Sequence, residues 1–193
     1  VIWSYFLDNP LLIASAISWN NVLNSLATIV AMHEVGIDTE IIKKGLKDFR
    51  GTKRRFELRG EKNGIQIIDD YAHHPTELEA SIKSVKALYA DKKVLGVFQP
   101  HLYSRTRDFY KEFAAALSYL DEVVLLDIYP ARELPIEGVT SQIIFDEIEN
   151  ENKTLITKKE LLDCLKSKRF DVLLTVGAGD IDTYLPQIVE MLK

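Results

Sequence analysis

Cysteine is all but absent. Only Cys164 carries a thiol among 193 residues, which excludes a disulfide framework and fits a reducing, cytoplasmic setting. Cys164 lies in Leu161-Leu-Asp-Cys-Leu-Lys166, the surroundings of a packed helix thiol rather than a nucleophile. Basic charge is also in deficit. Lys and Arg number 24 against 29 Asp and Glu, for a net charge of -5, which argues against a general nucleic-acid binder. No long apolar run is present. The stretch Tyr5 to Ile17 is broken by Asp8, Asn9 and Pro10, too short to span a bilayer, and no basic segment precedes it as in a signal peptide. There is no Gly-x-x-x-x-Gly-Lys-Ser/Thr loop, the phosphate cradle that an ATP-using enzyme normally needs. Internal repeats and low-complexity tracts are missing too. What is left is an ordinary globular mix, 47% hydrophobic and 27% charged, enough for one domain or one and a part. Val1 stands where a Met would open a complete chain, so the reading is a piece of something longer.

The chain then divides by pattern. Residues 1–18 carry a weak strand near Ile2–Phe6 and a turn at Asp8-Asn9-Pro10. Ser18, Asn20 or Asn21 is expected to cap a helix running to Glu34, with Val22, Leu23, Leu26, Ile29 and Val30 at helical spacing. Asp38 or Thr39 caps a second helix, Glu40 to Phe49. Two helices in succession make no α/β unit, so a boundary is placed at Arg50–Lys53. Left without their own domain, these helices would expose Val22, Leu26 and Ile29 and invite a dimer contact. Beyond the boundary, Phe56–Arg59 and Ile65–Ile68 flank Glu61-Lys-Asn-Gly64, and Asn-Gly is a strong hairpin signal. Strands and helices alternate from there. Strands are expected at Val94–Phe98, Glu122–Asp127, Lys153–Thr157 and Asp171–Val176. Helices are expected at Thr76–Tyr89, Arg105–Tyr119, Ser141–Glu149, Lys159–Lys166 and Ile181–Leu192. The strands read as continuous apolar runs, as in a sheet covered on both faces. The fold class is therefore α/β: a doubly wound, mostly parallel, Rossmann-like sheet with an N-terminal hairpin, preceded by a partial helical remnant.

A parallel sheet gathers its strand ends on one edge. The polar groups fall there. One strand leaves into Asp69-Asp-Tyr-Ala-His-His74, the next into Gln99-Pro-His-Leu-Tyr-Ser-Arg105, the next into Asp127-Ile-Tyr-Pro-Ala-Arg-Glu133, and the last into Gly177-Ala-Gly-Asp180. Four such exits on one edge argue for a ligand site. Each segment also has a plain structural explanation. Asp69 and Asp70 suit a helix-capping turn, and Gly177-Ala-Gly179 suits a tight turn that needs no ligand. A metal held by Asp70, His73 and His101 is a further reading. Arg105 and Arg107 stand at a helix start, where the dipole disfavours cations, which suggests an anion beside them.

These segments, taken together, resemble a known family. Asp69-Asp-Tyr-Ala-His-His-Pro-Thr-Glu77, Phe98-Gln-Pro-His-Leu-Tyr-Ser-Arg-Thr106, Asp127-Ile-Tyr-Pro-Ala-Arg-Glu133 and Gly177-Ala-Gly-Asp-Ile181 are similar to the C-terminal domain of the Mur ligases, and among them to the UDP-N-acetylmuramate–L-alanine ligase family. Gly51-Thr-Lys-Arg-Arg-Phe-Glu57 looks like the family's inter-domain junction. Asn20-Asn-Val-Leu-Asn24 resembles its Gly-x-His-Asn-x-x-Asn helix, the end of a central ATPase domain. The likeness covers about residues 18–193. It departs at Ser18 and Asn20, where the family has Gly and His, and at Leu102, where many members have Arg. The segment Pro100 to Thr106 favours the alanine-adding branch over the murein-tripeptide recycling ligase.

The resemblance implies a division into residues 1–52, the tail of the central ATPase domain, and 53–193, a closing domain for amino acid and ATP. It implies ATP-dependent amide formation in peptidoglycan synthesis, through an acyl phosphate on the muramic carboxylate that L-alanine's amine attacks. The P-loop and the Mg²⁺ ligands would lie in the central domain, and the grip on UDP-N-acetylmuramate in an N-terminal one. Carried onto this chain, Asn21 and Asn24 would meet the adenine and Arg55 the phosphates. Asp70 would hold the ribose or fix the closed hinge, with Tyr71 beside the base. His73 would lie near the reacting carboxyl, and His101 and Arg105 would bind the carboxylate of alanine. Two other readings remain. One is a non-catalytic binding module descended from such a ligase. The other is a metal-dependent hydrolase using Asp69, Asp70, His73 and His101.

Overall fold

A computed structural model describes residues 19–49 and 51–192. The expected strand at Ile2–Phe6, the turn after it and the Ser18 cap lie outside these residues. The chain forms two compact units, divided between Glu57 and Leu58.

The first unit carries α1 (Trp19–Glu34) and α2 (Thr39–Asp48). α1 begins at Trp19, so Asn20 and Asn21 stand inside the helix rather than capping it. Asp38 is the cap of α2, its carboxylate accepting from the Glu40 amide at 2.8 Å. Exposed apolar side chains here include Leu23, Val30, Met32, Val35 and Ile41, whereas Leu26 and Ile29 are half-buried.

The second unit is built on a six-stranded sheet. Its strands are β1 (Glu57–Lys62), β2 (Ile65–Asp70), β3 (Val94–Phe98), β4 (Glu122–Leu126), β5 (Lys153–Ile156) and β6 (Val172–Val176), in the order β1-β2-β6-β3-β4-β5. β2, β6, β3, β4 and β5 pair in parallel. β1 joins β2 through two residues, Asn63 and Gly64, at φ 53° and 81°. Positive φ at both positions is the signature of the tight turn that makes neighbouring strands antiparallel. The hairpin is longer than predicted because the turn needs only those two residues.

Helices cover both faces. α3 (Pro75–Leu88), α4 (Tyr103–Leu117) and α5 (Gln142–Glu147) pack on one another in sequence. α6 (Leu161–Lys166) and α7 (Leu185–Met191) pack together on the opposite side. Strand alternation sorts the apolar residues between them. Ile67, Leu95, Val97, Val124, Leu126 and Leu173 join Leu161, Leu165, Leu185 and Ile188 in one core. Their neighbours face the other way, where Phe98 meets Phe113 of α4 at 5.2 Å between ring centroids. β3 to β5 step outward, and the chain then returns to insert β6 between β2 and β3. The expected doubly wound, mostly parallel architecture is what is found.

Some helix bounds differ from expectation for local reasons. The last helix is split: Ile181–Tyr184 is a 3₁₀ turn, and α7 starts at Leu185 with Pro186 in its first turn. Proline has no N–H to continue an earlier helix. Lys158–Glu160 likewise forms a 3₁₀ turn before α6. α4 starts at Tyr103, two residues early, which puts Arg105 inside its first turn.

The amino edge of the sheet is tied by ion pairs. Glu122 receives Lys168 at 2.6 Å and Lys93 at 2.7 Å, and its side chain is only 11% exposed. Lys168 also reaches Thr154 Oγ1 at 3.1 Å. Burial pushes the Glu122 carboxyl up, but the hydrogen bonds and charges of Lys168 and Lys93 outweigh it and hold it below the usual carboxylate range. Glu122→Ala leaves two ammonium groups without their partner and is expected to cost about 2 kcal/mol by chemical denaturation at pH 7. The wild-type advantage is present above the usual carboxylate range and fades as the pH falls through the lowered value, because folded and unfolded states then bind the proton alike. A gap of equal size at pH 7 and pH 3 would contradict this.

Candidate active site

The loops after β2, β3, β4 and β6 emerge on one edge, as parallel pairing dictates. The two aspartates at the end of β2 differ in kind. Asp69 is fully buried, and its Oδ1 accepts from the Thr175 hydroxyl at 2.7 Å, linking β2 to β6 inside the core. Asp70 is half-exposed at the edge, and its carbonyl accepts from the Gly177 amide at 3.2 Å.

The β2 exit is fixed by a reciprocal cap on α3. His74 is the N-cap, with its ring nitrogen accepting from the Thr76 amide at 3.4 Å. Glu77 reaches back to accept from the amides of His73 and His74 at 3.1 and 3.3 Å. The same carboxylate lies 3.2 Å from His73 Nδ1, which is also 3.0 Å from the Tyr71 carbonyl. The His73 ring is thereby set in place, edge-on to Tyr71 at 5.4 Å. His74 packs edge-on against Phe109 at 5.1 Å. Phe109 sits at a kink in α4, at φ -129° and ψ 18°.

The β3 and β4 exits continue pairing beyond their strands. Tyr129 donates its amide to the Pro100 carbonyl at 2.8 Å and accepts from the Leu102 amide at 3.0 Å. Above that bridge the rings of His101 and Tyr129 stack at 5.8 Å. The His101 and His73 rings are 6.2 Å apart, so two exits meet. Arg105 Nη1 lies 3.4 Å from His101 Nδ1. A guanidinium cannot accept, so Nδ1 is the acceptor and the proton of the neutral ring belongs on Nε2. Burial pushes the His101 pKa below that of a free imidazole, and the charges of Arg105 and His73 push the same way, opposed by Glu133. The edge thus offers a guanidinium beside the neutral His101 ring, a suitable receptor for a small carboxylate.

The glycine turn after β6 has a packing reason. Gly177 has φ 137°, and a β-carbon there would stand 2.5 Å from the Gln99 carbonyl. A β-carbon on Gly179 would strike the Gln99 side chain. Gln99 is 3% exposed and clamps the turn, donating to Asp180 Oδ1 at 3.0 Å and accepting from the Ile181 amide at 3.1 Å. Lys158 closes the turn from the β5 side through Asp180 Oδ2 at 2.5 Å.

The residues singled out from the sequence fall in both units. His73, His101, Arg105, Asp70 and Tyr71 share the carboxyl edge. Asn21, Asn24 and Arg55 belong to the first unit. Asn24 is exposed on α1, one turn beyond Asn21, and Arg55 is exposed with its amide on the Thr52 carbonyl at 3.1 Å. The metal reading fares poorly. Asp69 is sealed in the core, and among the described residues no three His, Cys, Asp or Glu side chains gather as a metal would require. Three supporting residues were missed. Glu77 has a local signal, since His74-x-x-Glu77 follows capping-box spacing. Gln99 and Glu133 have none, because their partners are far along the chain.

Residues 54–179 match the Mur ligase, glutamate ligase domain, and the chain belongs to that family. Its relatives specify the branch that it is similar to. Over 174 residues it is 52% identical to a UDP-N-acetylmuramate–L-alanine ligase of Porphyromonas gingivalis, covering 90% of this chain and 38% of that protein. It is 50% identical over 169 residues to the enzyme of the same name from Cytophaga hutchinsonii, covering 88% and 36%. The crystal structure of UDP-N-acetylmuramate–alanine ligase MurC from Thermotoga maritima superposes with a TM-score of 0.74 at 31% identity, over 90% of this chain and 37% of that one. The chain thus spans little more than a third of the length of these relatives.

The site yields one direct test. In Arg105→Ala the His101 ring is expected to titrate at higher pH than in the wild type, because a facing cation is gone. NMR of the imidazole protons against pH checks this. An unmoved titration would remove Arg105 from the causes and leave burial and His73.

Proposed function

We propose that this chain is the amino-acid-presenting part of an ATP-dependent ligase that joins L-alanine to UDP-N-acetylmuramate in cytoplasmic peptidoglycan synthesis. The observation that carries the reading is the meeting of His73, His101 and Arg105 from separate strand exits at one edge. Identity of about 50% to alanine-adding relatives supports the choice of substrate.

In this reading Arg105 pairs with the carboxylate of alanine, and His101 lies beside it as a neutral donor through Nε2. The amine is thereby aimed across the edge toward His73, which stands near the carboxyl to be joined. Asp70 and Tyr71 border the nucleotide, at its ribose or the closing hinge and at its base. Asn21 and Asn24 meet the adenine and Arg55 the phosphates. ATP, when bound, supplies the phosphoryl group that activates the muramic carboxylate. Cationic groups near that transfer offset the charge that develops. The donor set does not suit Mg²⁺, since no cluster of three ligating side chains occurs among the described residues. Mg²⁺ ligands, the phosphate cradle and the UDP-sugar grip are assigned to central and N-terminal domains of a longer protein, with residues 1–52 as the tail of the central one. The 193-residue chain alone is expected not to ligate.

Ligation by the full-length protein tests the assignment. Arg105→Ala is expected to raise the KM for alanine about tenfold or more, the effect of losing a charge-assisted pair of ~1.5–3 kcal/mol. An unchanged KM would remove Arg105 from the site.

A further inference from the structure

α4 enters the site without a cap of its own. Its N-cap position is Leu102, at φ 73°, and no side chain at that position accepts a hydrogen bond. The first amides of a helix lack intrahelical acceptors. This first turn also carries Arg105, a cation where the dipole is already positive. Glu133 supplies both remedies from 29 residues away. Its Oε2 accepts from the Ser104 amide at 2.9 Å and its Oε1 from the Ser104 hydroxyl at 2.5 Å.

The route by which Glu133 arrives is itself well defined. Tyr129 is bridged to both sides of His101. The chain then reverses through Ala131 at φ 51°, with the Glu133 amide on the Pro130 carbonyl at 2.9 Å. The carboxyl is held below its usual range, first by the Ser104 hydroxyl and then by the Ser104 amide. Partial burial opposes this, while the Tyr103 amide and the charge of Arg105 add to it.

We propose that Glu133 is the positioning residue of the amino-acid subsite, holding the start of α4, and with it Arg105 and His101, in the arrangement that receives the amino acid's carboxylate. This rests on the ligase reading. Glu133 does not itself bind that carboxylate. It has the same sign of charge, and both its oxygens are engaged by Ser104. It acts through Ser104 and Arg105. A cap that served stability alone would lower the melting temperature and leave the KM values of the folded enzyme unchanged. A positioning residue disturbs one substrate.

The experiment compares full-length wild type, Glu133→Ala, Glu133→Gln and Ser104→Ala in ligation, with separate KM values for alanine and ATP. Glu133→Ala is expected to raise the alanine KM roughly five- to tenfold, while kcat and the ATP KM stay within about twofold. Glu133→Gln keeps an acceptor for the Ser104 amide and is expected to return the alanine KM to within about threefold of wild type. Ser104→Ala loses only the hydroxyl donor and should fall between. An unchanged alanine KM in Glu133→Ala overturns the proposal, and so does a joint loss in all constants without rescue by glutamine. If Glu133→Ala does not fold, Ser104→Ala decides: a selective rise in alanine KM supports the proposal and an unchanged one overturns it. A wild type that ligates no alanine sinks the ligase reading and this inference with it. A normal wild type with unaltered variants sinks this inference alone.

Discussion

The edge where these loops meet depends on β6 pairing in parallel with β2 and β3 at once. Val176 stands opposite Asp70 on one side and Phe98 on the other. The three strands therefore stop at one level, and Tyr71, Gln99 and Gly177 leave side by side. The loops after β2 and β3 lead to helices on one face, while the loop after β6 leads to the other. Such a divergence at the strand ends is the place where open α/β sheets bind ligands. Gln99 packs against the turn after β6, which is why Gly177 and Gly179 leave no room for a β-carbon.

The two ends of the sheet are stabilised by different means. At the amino end, charge meets charge: Glu122 with Lys93 and Lys168, and Asp121 with Lys86 at 2.6 Å. Asp121 and Asp171 also take the amides of Val94 and Lys93 at 2.7 and 2.8 Å. At the carboxyl end, side chains tie down backbone instead, as Glu77 does at His73 and His74 and Gln99 at Ile181. One ion pair, Lys158 with Asp180, adds to these ties, while the Arg105 guanidinium meets the ring of His101.

Much of this was legible in the sequence, for identifiable reasons. Strands buried on both faces must be apolar throughout, so Val94–Phe98 and Val172–Val176 announce themselves. Asn63-Gly64 announces the hairpin because few other pairs tolerate its backbone. The convergence of His73, His101 and Arg105 followed from parallel topology alone. Other features were hidden. Asn20 and Asn21 are good caps by type, yet the helix starts before them, since a cap is defined by where the backbone turns. The pair Asp69-Asp70 looks like one motif, but strand alternation sends one carboxylate into the core and leaves the other at the edge. Glu133 was visible as a residue and invisible as a cap, because its partner is fixed by tertiary folding and not by spacing.

Leu102, at φ 73°, is the strained joint before α4. A branched side chain in left-handed backbone costs on the order of 1–3 kcal/mol, and here the cost sits between a bridged carbonyl and the first residue of α4. Glycine would occupy the same angle without torsion, but would also occupy many others. A tensed hinge with few alternatives aims its helix more narrowly than a relaxed one. The domain accordingly gives up a little folding free energy at this joint and gains a fixed bearing for the guanidinium one turn further on.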